Sequence, residues 1–336
     1  MRERRVADES WRPEPIEITP DERVLIYDRI AANRRSTVFL MAGFVLFIAI
    51  FFAAIGALFG FSSDLAFQGQ ALLSLATGGI AAGIALPVGV GMYFSSTSVV
   101  LGISGAHQVT KDEEPVLYRI VENLSIGSGL PMPKVWIIED SAPNAFATGR
   151  NPKNGHVAAT RGLLDKLEKR ELEAVMAHEM SHIGNHDTRI MTLMAVGVGL
   201  VAMISDMLLR FTRFGAGMRT GNRGKGGGAL AILIIIAAVI TIVLAPIVAG
   251  LMRLAMSRRR EYLADSSGAL LCRNPDALAD ALEKISWDNE PLEVANKATA
   301  HLYIANPLKG HESFLNSLFS THPPALERIR ILRAMG

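Results

Sequence analysis

The chain has 336 residues, half of them hydrophobic and only 20% charged, with a formal net charge of +2. That charge is too small for a nucleic-acid binder, and the apolar excess is that of a protein lying partly in a bilayer. A single cysteine, Cys272, excludes an internal disulfide and any cysteine-based zinc site, so a metal here must be held by histidine and carboxylate.

Residues 1–36 read as an N-terminal arm, in which Pro20-Asp21-Glu22 opens a helix that ends at Arg34-Arg35. Residues 37–60 carry no charge and are long enough to cross a hydrocarbon core of about 30 Å. The run begins too late and extends too far for a signal peptide. A second apolar run, 71–94, follows a short polar loop and contains Gly78, Gly79, Gly83, Gly89 and Gly91, small residues that let membrane helices approach closely. Two transmembrane helices are therefore expected within 37–94.

The polar segment 95–189 comes next. Within it 133–140, 144–149 and 156–160 read as short strands. From Arg161 to Asp187 the spacing of Leu163, Leu164, Leu167, Leu172, Val175, Met176 and Ile183 predicts one long helix. Two further apolar runs follow, 190–209 and 229–252, joined by a glycine-rich loop, 209–228, that holds Arg210, Arg213, Arg219, Arg223 and Lys225. Residues 253–336 are polar again. Neither polar segment is large enough to be a comfortable enzyme alone, but together they make a domain of ordinary size.

The predicted helix contains AHEMSH. At 100° per residue, His178 and His182 lie on one face one turn apart, with Glu179 beside them. Two imidazoles at that spacing can hold one zinc ion, while the glutamate accepts a proton from a metal-activated water. A catalytic zinc needs a third protein ligand. Glu261 and Asp265, at i and i+4 in RRREYLAD, are candidates: one to ligate, the other to hydrogen-bond a ligand imidazole. From spacing alone, a surface ion pair of Glu261 with Arg258 or Arg260 is the better explanation.

NAFATG, AHEMSH, RRREYLAD and THPPALERIR, in that order among apolar runs, resemble the motifs of the HtpX-type integral-membrane zinc metalloproteases, relatives of the CAAX prenyl proteases. The likeness extends from about Lys111 to the C-terminus and includes the two early runs. It implies a mainly α-helical membrane protein with about four hydrophobic helices and a helical, zincin-like metalloprotease domain carrying a small β-sheet. It also implies one Zn2+ per chain on His178, His182 and Glu261, with Glu179 as general base and Asp265 supporting a ligand histidine. His322 is then expected to stabilise the oxyanion, and Asn144 and Arg328 to contact substrate. The strand at Asn144 is expected to accept an extended peptide at its edge. His107, His156, His301 and His311 match no motif and read as surface or packing residues.

A shared active site requires Glu179 and Glu261 on one side of the bilayer, with an even number of spans between them. Arg34-Arg35 and Arg258-Arg259-Arg260 mark that side, with both termini, as cytoplasmic. The basic loop 209–228 conflicts with this rule if both later runs span fully, and a hairpin that only partly crosses resolves the conflict. The expected activity is hydrolysis of misfolded or damaged membrane proteins at the inner membrane, in stress-related quality control. The alternatives are a processing protease for defined, CAAX-like substrates and a non-catalytic metal-binding scaffold. The sequence leaves the oligomeric state open.

Overall fold

The structure is a computed structural model that describes residues 67–197, 258–295, 299–307 and 323–335, with scattered helical positions elsewhere. The described residues are mostly helical, with one small mixed sheet. In chain order they form α1 (Phe67–Ile103), β1 (His107–Gln108), α2 (Pro115–Ser128), β2 (Lys134–Ile138), β3 (Ala145–Gly149), β4 (Gly155–Thr160), α3 (Arg161–Lys166) and α4 (Lys169–Gly184). There follow α5 (187–197), α6 (Arg258–Cys272), α7 (Pro275–Trp287) and α8 (Ala325–Arg333).

The sheet order is β1-β2-β4-β3, with β2 and β4 parallel and both outer pairs antiparallel. Successive strand residues face opposite sides, and the sequence uses both. Val135, Ile137, Ala145, Ala147, Val157 and Ala159 face the larger core, which includes residues of α2, α4 and α7. Ile138, Phe146 and Ala158 face a second core built from Val100 and Leu101 of α1, Met191 and Ala195 of α5, and Leu302 and Tyr303. Burial on both faces explains why these strands read as apolar runs rather than as alternating ones. The Phe146 and Tyr303 rings meet edge to face at 5.1 Å.

The three strands read from the sequence are present, and the two-residue β1 is an addition. The single helix expected over 161–187 is broken at Leu167-Glu168, where the backbone is extended. Thr160 starts α3 by accepting from the Leu163 N–H at 3.2 Å. Glu171 starts α4 by accepting from the Glu168 N–H at 2.7 Å, a side-chain partner for an N-terminal amide. These local signals outweigh the apolar stripe that runs through the break.

Helix α1 extends the predicted 71–94 run in both directions. It is the one helix among the described residues long and apolar enough to cross a membrane. Leu72, Leu75, Ile80, Ile84 and Leu86 stand exposed along it, while Val100 and Leu101 are buried against the sheet. A Cβ added at Gly78 would lie 2.9 Å from both the Ala49 carbonyl oxygen and the Ala53 Cβ, the close approach that small residues permit. The runs 37–60, 190–209 and 229–252 lie largely or wholly outside the described residues.

Candidate metalloprotease site

Helix α4 is buried on all sides from Ala174 to Ile183, and polar residues within that stretch form the site. His178, Glu179 and His182 are 0%, 1% and 4% exposed. The two Nε2 atoms face each other at 3.2 Å. Glu261, from α6, places Oε1 3.6 Å from His182 Nε2 and Oε2 3.9 Å from His178 Nε2. Donors about 2.0–2.1 Å from one tetrahedral ion stand about 3.4 Å apart. One donor atom from each of His178, His182 and Glu261 lies within 4.8 Å of the others, and the set of two imidazoles and a carboxylate suits zinc. The residues present therefore fit a metal.

Residues 75 and more positions apart in sequence meet here because α4 and α6 pack at backbone distance. A Cβ at Gly268 would sit 2.9 Å from both N and Cα of His178. Gly268→Ala must push α6 outward and carry Glu261 away from the imidazoles. The expected result is a loss of about 1–3 kcal/mol in stability, with weakened metal binding, read by chemical unfolding and by metal titration.

The ligand pair is backed by carboxylates. Oδ1 of Asp265 lies 2.9 Å from Nδ1 of His178. Asp265 is gripped by Arg328, whose Nε and Nη2 donate to its two oxygens at 2.8 and 2.7 Å. Burial alone would raise the Asp265 pKa, yet Arg328 and His178 hold it down at about 2. For His182 the neighbour is Asp187, with Oδ2 3.3 Å from Nδ1. Burial works against protonation of His182, but the Asp187 hydrogen bond and the surrounding carboxylates outweigh it and push the pKa up to about 9. Sequence reasoning overlooked Asp187, although a carboxylate just past the last turn of the motif helix was its available signal.

Glu179 lies outside the metal donor set and accepts from the Ala147 N–H of β3. Burial, reinforced by Glu261, raises its pKa to about 7, against the opposing effects of His182, Arg328 and the Ala147 N–H. Its Oε2 is buried and has no hydrogen-bond partner among the described residues. A carboxylate with a spare oxygen and a pKa near neutrality is matched to proton transfer at pH 7.

The remaining expected site residues lie elsewhere in the arrangement. Arg328, expected at the substrate, is 2% exposed, and Nη1 donates to the Ile304 carbonyl at 2.9 Å while its other donors hold Asp265. Asn144, also expected at the substrate, is buried and donates from Nδ2 to the Ala305 carbonyl at 3.1 Å. Both side chains thus tie down the 303–305 segment. That segment pairs with the edge strand, since Phe146 and Tyr303 form an antiparallel bridge and the Ile304 N–H donates to the Ala145 carbonyl at 2.9 Å. A peptide pairing along all of β3 must therefore displace it.

His186 lies beyond α4 in a left-handed turn, φ 59°, and is not in the metal cluster. His322 falls outside the described residues. Arg260, one of the proposed surface partners of Glu261, has Nε 3.7 Å from Oδ1 of Asp187. His301 is a buried packing residue that donates from Nε2 to the Met191 carbonyl at 2.9 Å.

Residues 111–336 match the model of peptidase family M48. The chain belongs to this family. Protease HtpX homologues of several organisms are similar over most of the chain. That of Tropheryma whipplei is 43% identical over 312 residues, covering 93% of this chain and 99% of its own. That of Listeria monocytogenes serotype 4b is 42% identical over 318 residues, covering 93% and 100%. That of Dictyoglomus thermophilum is 48% identical over 244 residues, covering 73% and 77%. A crystal structure of S. mikatae Ste24p matches at 17% identity with a TM-score of 0.44, covering 91% of this chain and 66% of that one. As a member of M48 the chain is a metalloprotease, and among its described residues His178, His182 and Glu261 form a cluster that could hold the metal.

Proposed function

We propose that this M48 member is a zinc-dependent endopeptidase of the membrane, with one Zn2+ held by His178, His182 and Glu261 and with Glu179 as general base. The observation that carries this reading is the spare, buried Oε2 of Glu179 beside a cluster of two imidazoles and a carboxylate. Zinc held by these residues would lower the pKa of a coordinated water to about 7 and would polarise the scissile carbonyl. Glu179 takes a proton from the attacking water and returns it to the leaving amine. Asp265, clamped by Arg328, holds His178 in the tautomer that turns Nε2 to the metal. The burial of all these side chains keeps bulk water from competing for their hydrogen bonds. His322 serves as an oxyanion donor in this scheme. Arg328 and Asn144 act by positioning Asp265 and the 303–305 segment.

Polar segments 95–189 and 253–336 form one protease domain, interrupted in sequence by apolar residues 190–252. That domain sits at the cytoplasmic face of the inner membrane, in a multi-pass protein whose termini share that side. The exposed apolar flank of α1, continuous with the buried end that docks on the sheet, supports a domain held at the bilayer surface. Proximity then favours unfolded or damaged membrane proteins as substrates, and quality control under stress as the role. A processing protease for CAAX-like substrates is the second enzymatic reading, and a metal-binding scaffold the non-enzymatic one. The spare Glu179 oxygen argues against the scaffold.

The test is cleavage of an unfolded protein by the full chain in detergent, before and after chelation and after zinc is restored. Activity lost on chelation and regained with zinc is expected. Activity that survives complete metal removal sinks the proposal.

A further inference from the structure

Asp265 is matched, on the other side of the cluster, by a second carboxylate that the sequence motifs do not mark. Asp187 is 1% exposed and lies five residues beyond His182, outside α4. Just before it His186 adopts a left-handed conformation, φ 59°, which breaks the helix between α4 and α5. Non-glycine residues enter that region at some expense, so the turn is built rather than incidental. Asp187 opens α5, where a carboxylate is favoured by the helix dipole. One oxygen lies 3.3 Å from His182 Nδ1 and the other 3.7 Å from Arg260 Nε.

His178 therefore has Asp265 and Arg328 behind it, and His182 has Asp187 and Arg260. We infer that Asp187 is a positioning residue for the metal site: by accepting the Nδ1 proton of His182 while Arg260 steadies it, Asp187 keeps the Nε2 lone pair directed at the metal. Carboxylates that accept the second N–H of a ligand histidine fix both its tautomer and its ring orientation. Asp187 and Arg260 also flank residues 188–259, which contain both later apolar runs. The pair thus ties the geometry of His182 to the two places where that stretch leaves and rejoins the protease domain.

The inference rests on the proposed metal assignment, and the test separates the two. The full chain in detergent is compared with Asp187→Asn and Arg260→Gln by competition for zinc against a chromogenic chelator. The absorption of the cobalt-loaded proteins and the unfolding temperature of the metal-free proteins are recorded alongside. Asp187→Asn is expected to weaken zinc binding by about 10–100-fold and to alter the cobalt spectrum, with the metal-free unfolding temperature little changed. Arg260→Gln is expected to move affinity in the same direction by a smaller factor. Unchanged affinity and spectrum in Asp187→Asn overturn the inference while leaving the zinc assignment intact. So does an affinity loss matched by a fall in metal-free stability, which marks a merely structural role. If Asp187→Asn does not fold, unchanged affinity in Arg260→Gln overturns it. A wild type that binds no zinc overturns both readings.

Discussion

Glu179→Gln is expected to lower peptide hydrolysis by about 10²–10⁴-fold, the usual contribution of a positioned general base, while zinc content stays at the wild-type level. The two outcomes separate because Glu179 stands beside the metal cluster without belonging to it. Glutamine keeps the side-chain volume and replaces a proton-accepting oxygen with an amide. Burial and the neighbouring Glu261 already disfavour a charge at this position. The neutral amide removes that penalty, so the metal-free protein should unfold at a temperature no lower than wild type. Cleavage of an unfolded protein, metal analysis and thermal unfolding in detergent check the three statements. Wild-type cleavage by a zinc-loaded Glu179→Gln protein removes Glu179 from the mechanism.

Arg328→Ala is expected to destabilise the protein by about 3–5 kcal/mol, because deleting one partner of a buried ion pair strands the other. Arg328 and Asp265 are 2% and 1% exposed, and two charge-assisted hydrogen bonds join them. The substitution also releases the Ile304 carbonyl, and with it the segment that lines the sheet edge. Arg328→Lys is expected to recover only part of the loss, since a single ammonium cannot reproduce a bidentate fork. Adding Asp265→Asn to Arg328→Ala should restore stability in part, because the uncompensated carboxylate is then gone. Denaturant unfolding of the wild type, Arg328→Ala, Asp265→Asn and the double variant forms the cycle that checks this. Additive losses would show that Arg328 and Asp265 act independently.

Much of the site was legible in the sequence because its core is local. His178, Glu179 and His182 occupy one turn of one helix, and helical geometry alone places them together. The three main strands were legible too, through short apolar runs bounded by turn residues. The third ligand was not decided by spacing. Glu261 with Arg258 or Arg260 is as reasonable an ion pair as any, and only the resemblance to a protease family pointed to the metal. The α4–α6 packing that settles its position depends on Gly268 meeting the backbone of His178, a contact between distant parts of the chain.

The assignments to Arg328 and Asn144 show the opposite limit. Both are polar residues in motifs near an active site, and sequence cannot tell a side chain that faces substrate from one that holds the scaffold. In the structure both are buried, and their donors reach internal carbonyls and Asp265. Asp187 was missed for a related reason: its reach to His182 depends on one left-handed residue, which no propensity at His186 announces. The sequence by itself determined the metal-binding turn, the strands, the apolar runs and the family, since these depend on period and order along the chain. Only the tertiary structure decided which carboxylate stands behind each histidine and what covers the sheet edge, because those contacts join segments that the chain keeps far apart.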